Sequence, residues 1–153
     1  MTIQFIKGDL IQLIKDGCFD VVAHGANCFN TMNSGIAKQL RETWPQIYEA
    51  DRKTIKGYRA KLGNWTMAYL EQENCIVLNM YTQYRYGYSG NLYADYDAIR
   101  SCMKKLASEV GTERIGMPKI GSGKAGGNWD IIISIIEAEL GHLDVTIVEW
   151  DKE

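Results

Sequence analysis

The stretch Met117–Trp129, MPKIGSGKAGGNW, decides how this chain is read. It holds four of the chain's fifteen glycines. A strand-like run, RIGMP, leads into it, and a helix-like run leaves it near Asn128. Glycine weakens regular structure, so a cluster marks a place where backbone turns tightly or approaches something closely. Free N–H groups and the positive end of a helix dipole would meet in such a loop, which suits an anion. The spacing of Gly121, Gly123 and Lys124 is not that of G-x-x-x-x-G-K-[ST]. Gly121, Gly123 and Gly126 fit a bare G-x-G-x-x-G, but outside a first βα unit that pattern identifies nothing by itself. A set of tight turns accounts for the glycines equally well.

Working outward, the same layout recurs nearer the N-terminus. The apolar run FDVVAHGA suits a buried strand. It feeds GANCFNTMNSGIAKQL, a loop that enters a helix. Ile36, Ala37, Leu40, Trp44 and Ile47 recur at helical spacing, predicting one helix from Ser34 to Ala50 with Ser34 as its N-cap. TIQFIKG alternates and reads as a first strand; LIQLIKDG reads as a short helix closed by Gly17. NWTMAYLEQ and CIVLNMY read as strands, and TQYRYGYSGN as a polar, aromatic loop. Leu92, Tyr96, Ile99, Met103, Leu106 and Val110 mark a second long helix. Asn128 caps a helix through Leu140, and LDVTIVEW is a last strand. This alternation predicts an α/β sandwich with a largely parallel sheet. In such sheets ligands bind outside the carboxyl ends of the strands. Two anion loops at one sheet edge suit a diphosphate.

Length and 46% hydrophobic composition fit one globular domain, residues 1–153. A net charge of −2 without a basic stripe disfavours tight, non-specific binding to nucleic acid. No apolar run is long enough to span a membrane, and MTIQFIKGDL lacks a signal-peptide layout. Cys18, Cys28, Cys75 and Cys102 are widely spaced, as expected of a reduced cytoplasmic chain without a zinc site.

Four side chains each have two readings. Asp9, after the first strand, is a hydrogen-bond acceptor for an adenine amino group or a helix N-cap, and spacing alone favours the cap. His24, inside an apolar run, is a packed core residue or a general acid or base. Asn27 orients a ribose hydroxyl or simply makes a turn. Trp150 is core or stacks on a base.

Taken together, IKGDL, HGANCFNTMNSGIAKQL, MPKIGSGKAGGNW and VTIVEW resemble the macro domain family of ADP-ribose-binding modules over nearly the whole chain. The order and spacing of GDL, GIA and MP-x-IGSG are most similar to a subgroup holding the fungal-type ADP-ribose-1″-phosphate phosphatases and the terminal ADP-ribose glycohydrolases. The resemblance implies a three-layer α/β/α fold around a six-stranded mixed sheet. It implies that Asp9, with Leu10 beside it, contacts adenine, that Asn27 contacts the distal ribose, and that Trp150 lies against adenine. It places Asn33, Ser34, Gly35 and Ile36 on a first phosphate loop. Ile120, Gly121, Ser122, Gly123, Lys124, Ala125 and Gly126 fall on a second. The covalent-lysine glycohydrolases carry a Lys where this chain has Met80, Tyr81 and Thr82, and an acid where it has Ala125; that mechanism is not implied. His24 aligns with a histidine of the phosphatases. The expected function is therefore binding of ADP-ribose and hydrolysis of ADP-ribose-1″-phosphate by a monomer, with His24 and Asn27 catalytic and no metal or cofactor. The alternatives are a non-catalytic ADP-ribose reader and a hydrolase that frees ADP-ribose from modified protein or nucleic acid.

Overall fold

The computed structural model describes residues 3–87 and 91–150. Thr2 of the first predicted strand and 88–90 of the polar aromatic loop lie outside the described residues. In chain order the elements are β1 (Gln4–Gly8), α1 (Leu10–Lys15), β2 (Val21–Asn27), α2 (Gly35–Thr43), α3 (Pro45–Arg52), a 3-10 turn (Arg59–Lys61), β3 (Trp65–Leu70), β4 (Cys75–Gln83), α4 (Tyr96–Glu109), β5 (Ile115–Met117), α5 (Trp129–Leu140) and β6 (Val145–Trp150).

The six strands form one sheet in the order β1-β6-β5-β2-β4-β3. Every neighbouring pair is parallel except β3 with β4. Parallel neighbours need a crossover, which the helices supply. β3 and β4 are joined instead by a tight turn, in which Asn74 takes a left-handed φ of 51°. β2 lies in the interior of the sheet and is buried on both faces. Val22 joins the layer formed with Leu10, Ile14, Leu40 and Ile47 from α1, α2 and α3. Val21 and Ala23 join the layer formed with Ile99, Met103, Ile132 and Ile136 from α4 and α5. Burial on both sides explains an apolar run without alternation. The mixed sheet between two helical layers matches the expected fold class.

Gly17 closes α1 at φ 75°, and Asn128 caps α5 through the Asp130 N–H. Two helix expectations need correction. The helix read from Ser34 to Ala50 is two helices. Pro45 begins α3, and its ring forces Trp44 out of helical geometry, to φ −132° and ψ 89°. The helix read from Leu92 begins at Tyr96, because Asp95 caps it by accepting from Ala98 N–H. Leu92 is exposed; Tyr93 and Ala94 instead donate their backbone N–H groups to Ala125 O. The segment before α4 thus braces the second glycine loop.

Candidate functional site

The two loops meet outside the carboxyl ends of β2, β5 and β6. There they wall a cleft with two lobes. One, of about 410 Å³, is lined by Asn27, Asn33, Ser34, Gln83, Tyr86, Ile120, Gly121, Lys124 and Ala125 among others. The other, of about 610 Å³, is lined by Leu10, Gln39, Ser122, Val148, Glu149 and Trp150. Gly35, Ile36, Pro118, Lys119 and Gly123 line both, so the lobes join between the loops.

The local reasons are those of helix ends and bare backbone. Side chains cap α1, α4 and α5, yet the Ser34 side chain makes no cap bond at α2. The first-turn N–H groups of Gly35 and Ile36 therefore face the cleft without a protein acceptor among the described residues. In the second loop, Gly127 N–H donates to Gly121 O and Gly126 N–H to Gly123 O, which folds the loop on itself. Gly121 and Gly126 do so at φ 76° and 72°, where a side chain would be strained. The N–H groups of Gly121, Gly123 and Ala125 donate to no protein group among the described residues. Two clusters of unpaired N–H groups facing one gap form a site for paired anionic groups. Lys119 adds charge: its ammonium lies 3.6 Å from Glu149 and 5.3 Å from the Trp129 ring centroid.

Most residues expected at the site line this cleft. Asn27 does so with its side chain already engaged. Its Nδ2 donates to Thr31 Oγ1 at 2.8 Å, and its Oδ1 accepts from Phe29 N–H at 2.8 Å. It therefore shapes the loop as well as the wall. Trp150 lines the second lobe at 38% exposure, so it is not a core residue. Asp9 is not on the wall; it caps α1, accepting from Gln12 N–H at 3.2 Å, one residue from lining Leu10. Gly126 is also behind the wall, its missing Cβ pointing at Asn91 O.

His24 departs most from its expected role. It is fully buried and lines neither lobe. Asn79 donates from Nδ2 to Ile47 O and Thr66 Oγ1, so its Oδ1 faces His24 Nε2 at 2.6 Å. That oxygen can only accept, so His24 carries its proton on Nε2. Burial holds the imidazole below its ordinary pKa, against weaker opposing pulls from Asn79 and the Gly25 backbone. The geometry observed is that of a histidine packed against α3 through Asn79, where burial favours the neutral ring. Met80 and Tyr81 are buried, and Thr82, also buried, has an Oγ1 without a hydrogen-bond partner. Among the described residues no three His, Cys, Asp or Glu side chains gather as a metal site. No described helix is long and apolar enough to cross a membrane.

Sequence reasoning assigned no role to Lys119, Gln83 or Tyr86. Lys119 lies inside the opening stretch, and the other two lie inside the polar aromatic loop, so the signal was present as position rather than motif.

The Macro domain family profile matches residues 23–136, and the chain belongs to that family. An uncharacterized 17.5 kDa protein of Enterobacteria phage T4, from the tk-vs intergenic region, is 38% identical, the match covering 99% of this chain and 98% of that one. A crystal structure of a Bacteroides thetaiotaomicron protein superposes with a TM-score of 0.74 at 27% identity, covering 96% of this chain and 99% of that chain. Thermosipho africanus DarTG, solved in complex with ADP-ribose, superposes with a TM-score of 0.75 at 14% identity, over 98% of this chain and 41% of that one.

Proposed function

We propose that the cleft binds ADP-ribose, with adenine in the Trp150 lobe, the diphosphate between the loops and the distal ribose beside Asn27. One observation carries the reading: the backbone N–H groups of Gly35 and Ile36 on one loop, and of Gly121, Gly123 and Ala125 on the other, have no protein acceptor among the described residues and belong to residues that line the cleft, with Gly35, Ile36 and Gly123 lining both lobes. A lobe with an exposed indole beside Leu10 and Val148 on one side, and a lobe lined by the amides of Asn27, Asn33 and Gln83 on the other, fit the two ends of such a ligand. The family's presence in a complex with ADP-ribose supports the same ligand. Isothermal titration tests it. ADP-ribose should bind more tightly than either AMP or ribose 5-phosphate, since each half leaves one lobe empty. Equal affinity for AMP would overturn the assignment of the Asn27 lobe.

The same reading extends to turnover. Hydrolysis of ADP-ribose-1″-phosphate, with water taking the phosphoryl group and the 1″ oxygen leaving with a proton, is supported by the resemblance of GDL, GIA and MP-x-IGSG to the phosphatase subgroup. His24 has no contact with the cleft and is given no proton-transfer part in it. Phosphate release from ADP-ribose-1″-phosphate tests this step. Tight binding without release would leave a reader of ADP-ribose.

A further inference from the structure

The first loop, residues 28–34, reaches the cleft without regular structure of its own, yet its turn is held from three sides. Asn30 is the pivot. Its backbone is left-handed at φ 59°, a conformation asparagine tolerates. Its Oδ1 accepts from Lys61 Nζ at 2.9 Å and from Thr54 Oγ1 at 3.1 Å. Its Nδ2 donates to Thr54 O at 2.9 Å, and its backbone O accepts from the Tyr48 hydroxyl at 3.1 Å. Arg41 lies 3.9 Å over the Tyr48 ring and donates to Asn33 Oδ1 at 3.0 Å. Groups from α2, from α3 and from the segment 54–61 thus clamp one loop.

Lys61 is the buried charge in this clamp. Its ammonium lies 5.2 Å from the Tyr81 ring centroid and forms no ion pair among the described residues. An ammonium without a counter-charge is costly to bury, and an apolar side chain of similar volume would fill the space more cheaply. Packing therefore does not account for it, whereas the supply of protons at Asn30 does. The Thr54 hydroxyl has one proton, and Asp51 O, at 2.7 Å, is a nearer acceptor for it than Asn30 Oδ1. Once that proton is given to Asp51, Asn30 Oδ1 depends on Lys61. An ammonium has three protons to donate, and here it reaches Asn30 and Thr54 together, each at 2.9 Å.

We infer that Lys61 is a positioning residue for ligand binding: through Asn30 it fixes the first loop in its binding form before any ligand arrives. The inference rests on the ADP-ribose reading of the cleft. Lys61 itself lines neither lobe. Thr31, Met32, Asn33 and Ser34 line the Asn27 lobe, and no residue of the loop lines the Trp150 lobe. Loss of Lys61 should therefore be felt at one end of the ligand.

Isothermal titration of a Lys61→Met protein with three ligands tests this. Met keeps the stem and removes the donor. ADP-ribose and ribose 5-phosphate should each bind at least about tenfold more weakly than to the parent, because the ligand must now order the loop, while AMP should stay within about threefold. Asn30→Gly keeps the left-handed turn without the anchor and should reproduce that split. The double variant should be no weaker than either single one, since both cut the same link. The inference is overturned if AMP falls as far as ribose 5-phosphate, if ADP-ribose binds Lys61→Met like the parent, or if the two losses add. If the parent does not bind ADP-ribose, the cleft reading falls by itself. Amide hydrogen exchange without ligand then decides the clamp. Exchange over 28–34 at least about tenfold faster in Lys61→Met, with β2 and β4 unchanged, supports it, and parental exchange overturns it. Should Lys61→Met not fold, Asn30→Gly is read by the same titrations and the same exchange.

Discussion

Tyr81 donates a 2.7 Å hydrogen bond to Asp51 at a point where neither side chain meets solvent. The Thr66 hydroxyl lies 3.0 Å from the same phenol oxygen, and Asn79 links Thr66 to His24. Five polar side chains thus fasten β2, β3, β4 and α3 together beneath the cleft. Tyr81→Phe removes one donor and leaves a buried carboxyl oxygen bare, a loss of about 1–3 kcal/mol. Denaturant unfolding should show it, with ADP-ribose affinity unchanged. Burial pushes the Asp51 carboxyl above its ordinary value, with Tyr81 and Lys61 pulling it back. A carboxyl raised in the fold stabilises below its unfolded pKa, and that contribution is lost as pH rises through the folded value. Asp51→Asn should therefore lessen the fall in melting temperature from acid to neutral pH.

His24 works in the opposite sense. Its pKa is lowered by burial, so its contribution is full above the ordinary value of 6.5 and is lost as pH falls through the folded value. His24→Gln keeps a donor for Asn79 without a titrating ring. Its melting temperature should change less between neutral and mildly acidic pH than the parent's. Phosphate release per folded molecule should stay near parental. A fall of roughly 100-fold or more with intact folding would restore a proton-transfer role.

Two glycines in one loop should fail differently. A Cβ on Gly123 meets nothing within 4 Å, and its backbone is outside the left-handed region. Gly123→Val should keep the parental melting point while its side chain fills the gap proposed for the diphosphate and abolishes ADP-ribose binding. A Cβ on Gly126 would collide with the backbone oxygen of Asn91, at φ 72°. Gly126→Ala should lower stability by about 1–3 kcal/mol. Normal binding by Gly123→Val would reduce the loop to a turn.

Asp9 has one oxygen on the Gln12 amide, and its other oxygen is the one that the proposed adenine contact would use. Asp9→Asn keeps the cap, since asparagine caps as well as aspartate, but gives up the second acceptor. Melting should be unchanged and ADP-ribose affinity about tenfold weaker, the worth of one charge-assisted hydrogen bond. Asp9→Ala should lose both, with about 0.5–2 kcal/mol off stability. Parental affinity in the Asn variant would confine Asp9 to capping.

Trp150 is the tryptophan that lines the cleft; Trp44 is buried and Trp65 and Trp129 pack partly against the α4–α5 layer. ADP-ribose should change the intrinsic fluorescence of the parent, and Trp150→Ala should remove most of that change. A signal surviving in this variant would move adenine elsewhere.

Local chemistry was legible in the sequence. Asn128 before a periodic run and bare glycines after RIGMP each have a physical meaning within a few residues. Pro45 was misjudged because it suits the first turn of a new helix, so apolar periodicity continued across a break. What periodicity cannot carry is contact between distant positions. His24 finds Asn79 55 residues away, and Tyr81 finds Asp51 30 away.

The place of β6 has a consequence for how the molecule is made. It lies between β5 and β1, so β1 has no neighbour in the sheet until β6 has been made. Pairing across so long a separation is slow to nucleate, whereas the β3–β4 hairpin can form as soon as it emerges. On the ribosome the interior of the sheet can assemble while Phe5 and Ile6 stay unpaired. The wall bearing Trp150 arrives last. The cleft would thus be complete only once β6 has joined β1 and β5, and a ligand held by that wall would stabilise only molecules in which the pairing is made.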